Sequence, residues 1–271
     1  MVKSTAKRLR IASWNINSVR SRTALLGRVA RALKPDVLCL QEIKCATEDF
    51  PAKVCERLGF KHQCVRGVRG EGGVAILSRI PFAATGGEDW CGKSDGRHAI
   101  AVVDGDIEIH CFYVPSGVPI PDPKLNPKFA HKLAFLDDMA TWSKALAKKP
   151  GRRVLVGDLN VAPLPTDVWS HTQVLKDVSH TPAETTRLTK VLGVGKWVDA
   201  LRHFVPPDKP LFTWWSYRAH DWLASNRGRR LDHVWVSPAL APKLRSAVIL
   251  KEARGWPKPS DHVPVMIELE L

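Results

Sequence analysis

The chain has 271 residues, of which 44% are hydrophobic and 25% are charged, a composition typical of a globular protein. Its 41 Lys and Arg residues outnumber its 27 Asp and Glu residues and give a formal net charge of +14. A positive field of this size attracts nucleic acid, anionic membranes or phosphorylated small molecules. The six cysteines form no CxxC pair, which excludes zinc-finger spacing and favours reduced thiols.

The beginning of the chain is basic and polar, with no apolar stretch after it, so no secretory signal is expected. No run of about 18 apolar residues occurs, and no membrane-spanning helix is expected. Neither a tandem repeat nor a low-complexity linker divides the sequence. We therefore expect a flexible basic tail over residues 1–8 and a single domain over residues 9–271.

The first half of the chain contains short apolar runs rich in β-branched residues. They predict strands at Leu9–Trp14, Val37–Gln41, Gly73–Leu77, Ile100–Val103 and Ile107–Val114. Between the first two strands, Ser21 is expected to cap a helix that ends before Pro35. The last two strands are expected to form a hairpin that turns at residues 104–106.

The second half opens with a proline-rich stretch, Val118–Pro127, which is expected to form one long surface loop. A helix is predicted over His131–Lys148 from the spacing of its apolar residues. Another helix is expected to begin at the capping box Thr181–Glu184 and to end near Gly193. Further strands are predicted at Val154–Val156, Leu231–Val236 and Val263–Leu269.

The order of these elements indicates the fold class. Several strands follow one another with no helix between them, which argues against a doubly wound parallel sheet. The pattern predicts an α+β fold, a four-layer α/β sandwich in which two packed, mostly antiparallel β-sheets are flanked by helices.

Polar side chains stand at the ends of several predicted strands. They are Asn15, Gln41 with Glu42, Asp158 with Asn160, Asp232, and Asp261 with His262. Each has a simple structural explanation, because Asp and Asn often stabilise turns and a charge at a strand end often faces solvent. Five such positions on a rigid scaffold can also converge at one rim, where carboxylates could bind a hard cation such as Mg²⁺.

Seven short motifs, in this order, resemble the exodeoxyribonuclease III-type AP endonucleases of the endonuclease/exonuclease/phosphatase superfamily. The resemblance runs from Arg8 to Leu269 and rests on Ser13–Asn17, Pro35–Lys44, Tyr113–Gly117, Gly157–Asn160, Phe212–Tyr217, Arg230–Asp232 and Ser260–His262. It implies a deoxyribonuclease I-like fold. It also implies a DNA-repair nuclease that hydrolyses the phosphodiester 5′ to abasic sites and removes 3′-blocking groups or nucleotides.

The resemblance also implies roles for individual residues. Mg²⁺, with Mn²⁺ as a possible substitute, and the phosphate would be bound by Asn15, Glu42, Asp158, Asn160, Asp261 and His262. Asp158 would activate the attacking water, with Asn160 holding it. Asp232 would orient His262, whose protonated ring would donate to the scissile phosphate, as an oxyanion hole does. Tyr113 would contact the phosphate or the leaving oxygen.

The same resemblance indicates the substrate and its pocket. The DNA-binding and pocket residues would be Asn17, Lys44, Trp214, Trp215, Arg229 and Leu231. Trp214 and Leu231 would form the walls of a pocket for a flipped-out deoxyribose without a base, whose extrusion is cheaper than that of a paired nucleotide. The expected partner is double-stranded DNA with abasic sites or 3′ ends, bound by a non-secreted monomer in the cytoplasm, associated with the nucleoid and not with a membrane.

Two departures and two alternatives accompany this prediction. Ser18 stands where the family usually has glycine, and Arg229 stands where some relatives carry a bulky apolar pocket residue. The closest alternative is another phosphohydrolase of the superfamily, such as a nonspecific nuclease, a sphingomyelinase or a phosphoinositide phosphatase, because fold alone does not fix function. A non-catalytic nucleic-acid-binding module is the second, and the full set of polar strand ends argues against it.

Overall fold

The computed structural model describes residues 7–271. Within them the chain forms the strands β1 (Arg8–Asn15), β2 (Val37–Gln41), β3 (His62–Arg66), β4 (Val74–Ser78), β5 (Phe82–Gly86), β6 (His98–Val103), β7 (Ile107–Tyr113), β8 (Arg152–Asp158), β9 (Val198–Asp199), β10 (Trp214–Trp215), β11 (Gly228–Arg229), β12 (Asp232–Val236), β13 (Leu244–Ile249) and β14 (Val265–Glu270). The helices are α1 (Thr23–Leu33), α2 (Ala52–Arg57), α3 (Pro127–Leu146), α4 (His171–Val174), α5 (Pro182–Val194), α6 (Ala200–Phe204) and α7 (Trp222–Ser225).

Two six-stranded sheets form the centre of the molecule. Their strand orders are β13-β14-β1-β2-β4-β3 and β5-β6-β7-β8-β12-β9. Each sheet has one parallel pair, β1 with β2 and β7 with β8, between antiparallel neighbours. The predicted sandwich of two mostly antiparallel sheets is therefore confirmed, and the carboxyl ends of both parallel pairs lie in the middle of their sheets.

The core has three layers because strand side chains alternate between the two faces of a sheet. Val154 and Val156 of β8 point into the apolar layer between the sheets, whereas Leu155 points outward. The outward face of that sheet packs against α3 and α5 through side chains such as Leu136 and Leu188. On the other sheet the outward face packs against α1, so helices cover both sides of the sandwich.

Several predicted helix boundaries differ from the structure. Ser21 lies in a 3₁₀ turn before α1 and does not cap it. The long helix α3 begins at Pro127 because the Asn126 side chain caps it by accepting a hydrogen bond from the Lys128 amide. The predicted capping box of α5 is present, but the helix continues through Gly193 and is capped by Gly195.

The predicted strands omit the edge strands β3, β5 and β13 and the two-residue strands β9, β10 and β11. The residues of β3 are only partly buried and most of β5 is exposed. Edge strands of this kind carry polar residues and lack the apolar run that marks a central strand.

The predicted basic tail, residues 1–8, lies mostly outside the described residues. Of its last two residues, Arg8 begins β1 and Lys7 forms an ion pair with Asp104. A single domain over residues 9–271 stays a prediction. Within residues 7–271, no helix is both long and apolar enough to cross a membrane.

Candidate active site

The predicted catalytic side chains converge at one rim of the sandwich. Tyr113, Asp158 and Asp232 are register partners across β7, β8 and β12 of one sheet. From the other sheet, Asn15 ends β1 and Glu42 follows β2 directly. The two sets are joined across the sandwich, because the Asn15 side-chain amide donates to Asp158 Oδ2 and to Glu42 Oε1, both at 2.9 Å.

Tyr113 belongs to this network as a hydrogen-bond donor. Its hydroxyl donates to Glu42 Oε1 at 2.8 Å. Burial raises the pKa of Tyr113 well above its ordinary value, and the nearby carboxylates of Glu42 and Asp158 add to this effect. The hydroxyl therefore keeps its proton and can donate it in a hydrogen bond to a phosphate oxygen.

Asp158 and Asn160 form a tight turn after β8. The Asn160 backbone amide donates to Asp158 Oδ1 at 2.9 Å, and its side-chain amide donates to the Val114 carbonyl at 2.9 Å and to Asp158 Oδ2 at 3.2 Å. Burial raises the pKa of Asp158 to about 7, with Asp232 adding to the rise and His262 opposing it. A carboxylate with this pKa is suited to accept a proton from water near neutral pH.

Asp232 and His262 form a buried ion pair. His262 Nδ1 lies 2.9 Å from Asp232 Oδ2, and Nε2 lies 3.7 Å from Asp158 Oδ2. Burial alone would lower the pKa of His262, but the carboxylates of Asp232 and Asp158 outweigh it and raise the pKa to about 10. The ring is therefore an imidazolium at neutral pH, with its Nε2 proton directed toward the site.

Thr213 completes this pair and was not among the predicted site residues. Its hydroxyl donates to Asp232 Oδ2 at 2.6 Å and accepts from the backbone amides of Leu231 and Asp232 at 3.1 Å. The only signal in the sequence was its place inside the Phe212–Tyr217 motif. Thr213 fixes the carboxylate that in turn fixes His262.

The oxygen-rich side of the site fits a divalent cation. The Lys44 ammonium lies 2.9 Å from Glu42 Oε2 and 2.7 Å from Asn17 Oδ1, so these oxygens already attract a positive charge. Carboxylate and amide oxygens are the ligands that Mg²⁺ prefers. Glu42, with Asn15 beside it, is the best-placed ligand at this rim.

Two predicted metal ligands have other contacts in this structure. Asp158, Asp232 and His262 have ligand atoms within 4.8 Å of one another and could hold a metal ion, although the His262 imidazolium would have to release its proton first. In the structure His262 pairs with Asp232 through Nδ1. Asp261 accepts from Asn17 Nδ2 at 3.1 Å and from Trp214 Nε1 at 2.9 Å, which directs it to the pocket beside the site.

A cavity of about 200 Å³ adjoins the catalytic residues. Trp214 and Leu231 form apolar walls, and Ser116, Val118, Asn160 and His262 also line it. Arg229 forms the remaining wall together with the loop at residues 177–179. Its guanidinium donates to the Val178 carbonyl at 2.7 Å and to Ser179 Oγ at 2.8 Å, and it pairs with Asp177 at 2.7 Å.

Trp215 is a predicted pocket residue that the structure places in the core. Its side chain is 1% exposed and packs in the layer under α1, while its indole nitrogen donates to Asn226 Oδ1 at 3.2 Å. Successive side chains of a strand point to opposite faces, so only Trp214 of the pair can face the pocket. Trp215 cannot contact DNA in this conformation.

Comparison with known protein families agrees with this geometry. A model of the Endonuclease/Exonuclease/phosphatase family matches residues 12–262. The chain belongs to this family. All the predicted catalytic residues described above lie within the matched range.

Three members of the family illustrate the similarity. Exodeoxyribonuclease III of Haemophilus influenzae is 29% identical over 97% of this chain and 100% of its own length. An AP endonuclease structure from Archaeoglobus fulgidus has a TM-score of 0.88 at 31% identity and covers 97% of this chain and 100% of its own. A Neisseria 3′ phosphatase bound to a product DNA hairpin has a TM-score of 0.89 at 28% identity, with the same coverage. The resemblance to exodeoxyribonuclease III-type AP endonucleases is confirmed, and the family member described here is a phosphodiester hydrolase.

Proposed function

We propose that the protein is a DNA-repair nuclease that hydrolyses the phosphodiester 5′ to abasic sites and removes 3′-blocking groups or nucleotides. One observation carries the proposal: a buried carboxylate with a pKa of about 7, Asp158, faces the imidazolium of His262 beside a small pocket. The net charge of +14 supports a polyanionic substrate. The names of the relatives, which include an AP endonuclease and a 3′ phosphatase, support DNA repair.

In the proposed reaction the water oxygen bonds to phosphorus while the bond to the leaving 3′ oxygen breaks, and that oxygen takes a proton from solvent. The chain's own residues position the phosphate and accept the proton of the attacking water. Asp158 holds the attacking water and takes its proton on a carboxylate oxygen. The Asn160 amide, already bonded to that carboxylate, orients it. The Nε2–H of His262 and the hydroxyl of Tyr113 donate to phosphate oxygens, where negative charge grows in the transition state.

The cofactor we propose is Mg²⁺, with Mn²⁺ as a substitute. Glu42 would hold it together with Asn15, and Lys44 would move from Glu42 when the ion binds. Bound at that position, Mg²⁺ would supply positive charge that neutralises the phosphate oxygens. Without it, Lys44 keeps the Glu42 carboxylate paired.

The proposed substrate is double-stranded DNA, and the pocket is matched to a sugar that has lost its base. Trp214 and Leu231 offer apolar contact to the ring, while Asn160 and Ser179 offer polar contact to its oxygens. A missing base lowers the cost of turning the sugar out of the helix. We expect the protein to act as a monomer on the DNA of the cytoplasmic nucleoid.

The decisive experiment offers the protein a set of labelled duplexes: intact, abasic, nicked with a 3′ phosphate, and recessed. We expect incision 5′ to the abasic site and removal of the 3′ phosphate, both abolished by EDTA and restored by Mg²⁺. Equal cutting of intact and abasic DNA would indicate a nonspecific nuclease instead. Hydrolysis of phosphoinositides with no cutting of DNA would indicate a phosphatase of the same superfamily.

A further inference from the structure

A fully buried ion pair lies directly behind the pocket. Lys132 of α3 and Glu184 of α5 contact each other, and both side chains are 0% exposed. Removing two charges from water is costly, and the attraction between them repays that cost only when further hydrogen bonds satisfy both groups. The remaining partners of the pair therefore indicate its role.

Lys132 uses all three ammonium protons. Besides Glu184, it donates to the Ser116 carbonyl at 3.0 Å and to the Asn160 carbonyl at 2.7 Å. A neutral amine has only two N–H donors, so this set of three acceptors requires the charged form. Both carbonyls belong to residues that line the pocket, and one of them is the catalytic Asn160.

Glu184 was predicted as the capping residue of α5, but its contacts extend beyond the cap. The bond from the Thr181 amide, at 3.1 Å, belongs to the capping box, and the Thr181 hydroxyl donates to the same carboxylate oxygen at 2.6 Å. The amide of Ser179 also donates to both carboxylate oxygens, at 2.8 and 3.0 Å. Ser179 lines the pocket and holds Arg229, so Glu184 fixes the wall opposite Ser116.

We propose that Lys132 and Glu184 are positioning residues, which hold three segments around the reacting phosphate at a fixed separation. The segments are the loop at Ser116, the turn at Asn160 and the wall at Ser179. Asn160 needs this support because its backbone is left-handed, with φ 53°, a conformation that costs free energy and persists only when its surroundings fix it. The bond from Lys132 to its carbonyl sets the orientation in which its side-chain amide meets Asp158.

The inference rests on the proposed function, and its test separates the two. The wild type is first assayed on the abasic, 3′-phosphate and recessed duplexes, and variants are then compared on the one that it cuts fastest. Failure on abasic DNA alone would overturn the abasic preference and would leave the positioning proposal testable on 3′ ends.

The variants are Lys132→Met, which keeps length and removes the donors, and Glu184→Gln, which keeps shape and removes the charge. We expect the single-turnover rate to fall by about ten- to a hundredfold in both, as for small misplacements of a catalytic group, with DNA affinity changed by less than about threefold. Addition of Lys132→Met to an Asn160→Ala protein should have little further effect on the rate, because Lys132 acts through Asn160.

Two controls distinguish positioning from stability. Leu188→Ala makes a cavity on the buried side of α5 away from the pocket, and Asp137→Asn breaks the exposed pair with Arg187 that joins the same two helices. Both should keep the wild-type single-turnover rate while the protein is folded, although Leu188→Ala lowers the melting temperature. Wild-type rates for folded Lys132→Met or Glu184→Gln would overturn the proposal, as would an equal rate loss in Leu188→Ala. If Lys132→Met does not fold, Glu184→Gln alone decides the outcome.

Discussion

Replacement of Asp232 by Asn tests whether His262 acts as a protonated donor. Asp232 lies 2.9 Å from His262 Nδ1 and is the largest favourable contribution to the raised pKa of about 10. In the variant the burial of the ring remains while this carboxylate is gone, so the pKa of His262 should fall. The raised pKa keeps the wild-type ring protonated up to about pH 10. The Asp232→Asn variant should therefore be slower than the wild type at pH values below about 10.

The size of the effect follows from these values. At pH 8 a group with a pKa of about 10 is about 99% protonated, whereas one at the ordinary value of 6.5 is only about 3% protonated, a difference of about thirtyfold. Loss of one preorganised donor to the transition state costs about a hundred- to a thousandfold in rate. We therefore expect Asp232→Asn to lower the single-turnover rate at pH 8 by between about thirtyfold and about a thousandfold.

The assay is single-turnover cleavage between pH 6 and pH 10, with an NMR titration of the His262 ring in both proteins. The wild-type rate should rise with pH through the pKa of Asp158, since its base form is lost below about pH 7, and should then stay level until it falls near the His262 pKa of about 10. The rate of the variant should instead decline as pH rises above its lowered histidine pKa. A variant with the wild-type rate and a level profile to pH 10 would refute the assigned role of the imidazolium.

Three further predictions concern the base, the metal and the pocket. Asp158→Asn should bind abasic DNA with near wild-type affinity in a mobility-shift assay but lose incision by several orders of magnitude; comparable turnover would contradict its role as the base. Glu42→Gln should raise the Mg²⁺ concentration needed for half-maximal rate by about ten- to a hundredfold, and an unchanged metal titration would remove Glu42 as a ligand. Arg229→Ala should release the loop at Ser179 and widen the pocket, which lowers the ratio of abasic incision to 3′-phosphate removal; an unchanged ratio would show that Arg229 does not set the substrate preference.

The fold could be predicted largely from the sequence because central strands carry a strong signal. β1, β2 and β8 contain apolar runs that stop at polar residues, β7 alternates apolar and polar residues, and the structure places all four in the middle of their sheets. The predictions that failed concern positions where local sequence signals compete with one another. Ser21 is a good capping residue, but α1 begins after a 3₁₀ turn that contains it. Edge strands gave no signal because one face of each meets solvent.

The candidate site could be predicted only in part because it depends on contacts between distant segments. The predicted catalytic residues lie together in the structure, and each of them occurs in a recognisable motif. Trp215 was misplaced because adjacent aromatics look equivalent in a sequence, whereas strand alternation sends one of them into the core. Lys132 carried no signal at all, since a lysine in a long helix normally faces solvent, and 52 positions separate it from its partner Glu184.

The structure gives a physical reason for the different roles that the family resemblance implied for the two carboxylates beside His262. Asp158 and Asp232 are register partners on neighbouring strands, and both are almost fully buried, so burial alone does not distinguish them. The structure separates them by distance. Asp232 lies 2.9 Å from one ring nitrogen and is fixed by Thr213, whereas Asp158 lies 3.7 Å from the other and contacts neutral amides. Because the imidazolium is paired mainly with Asp232, Asp158 keeps a raised pKa, and it is the carboxylate that can take a proton from water.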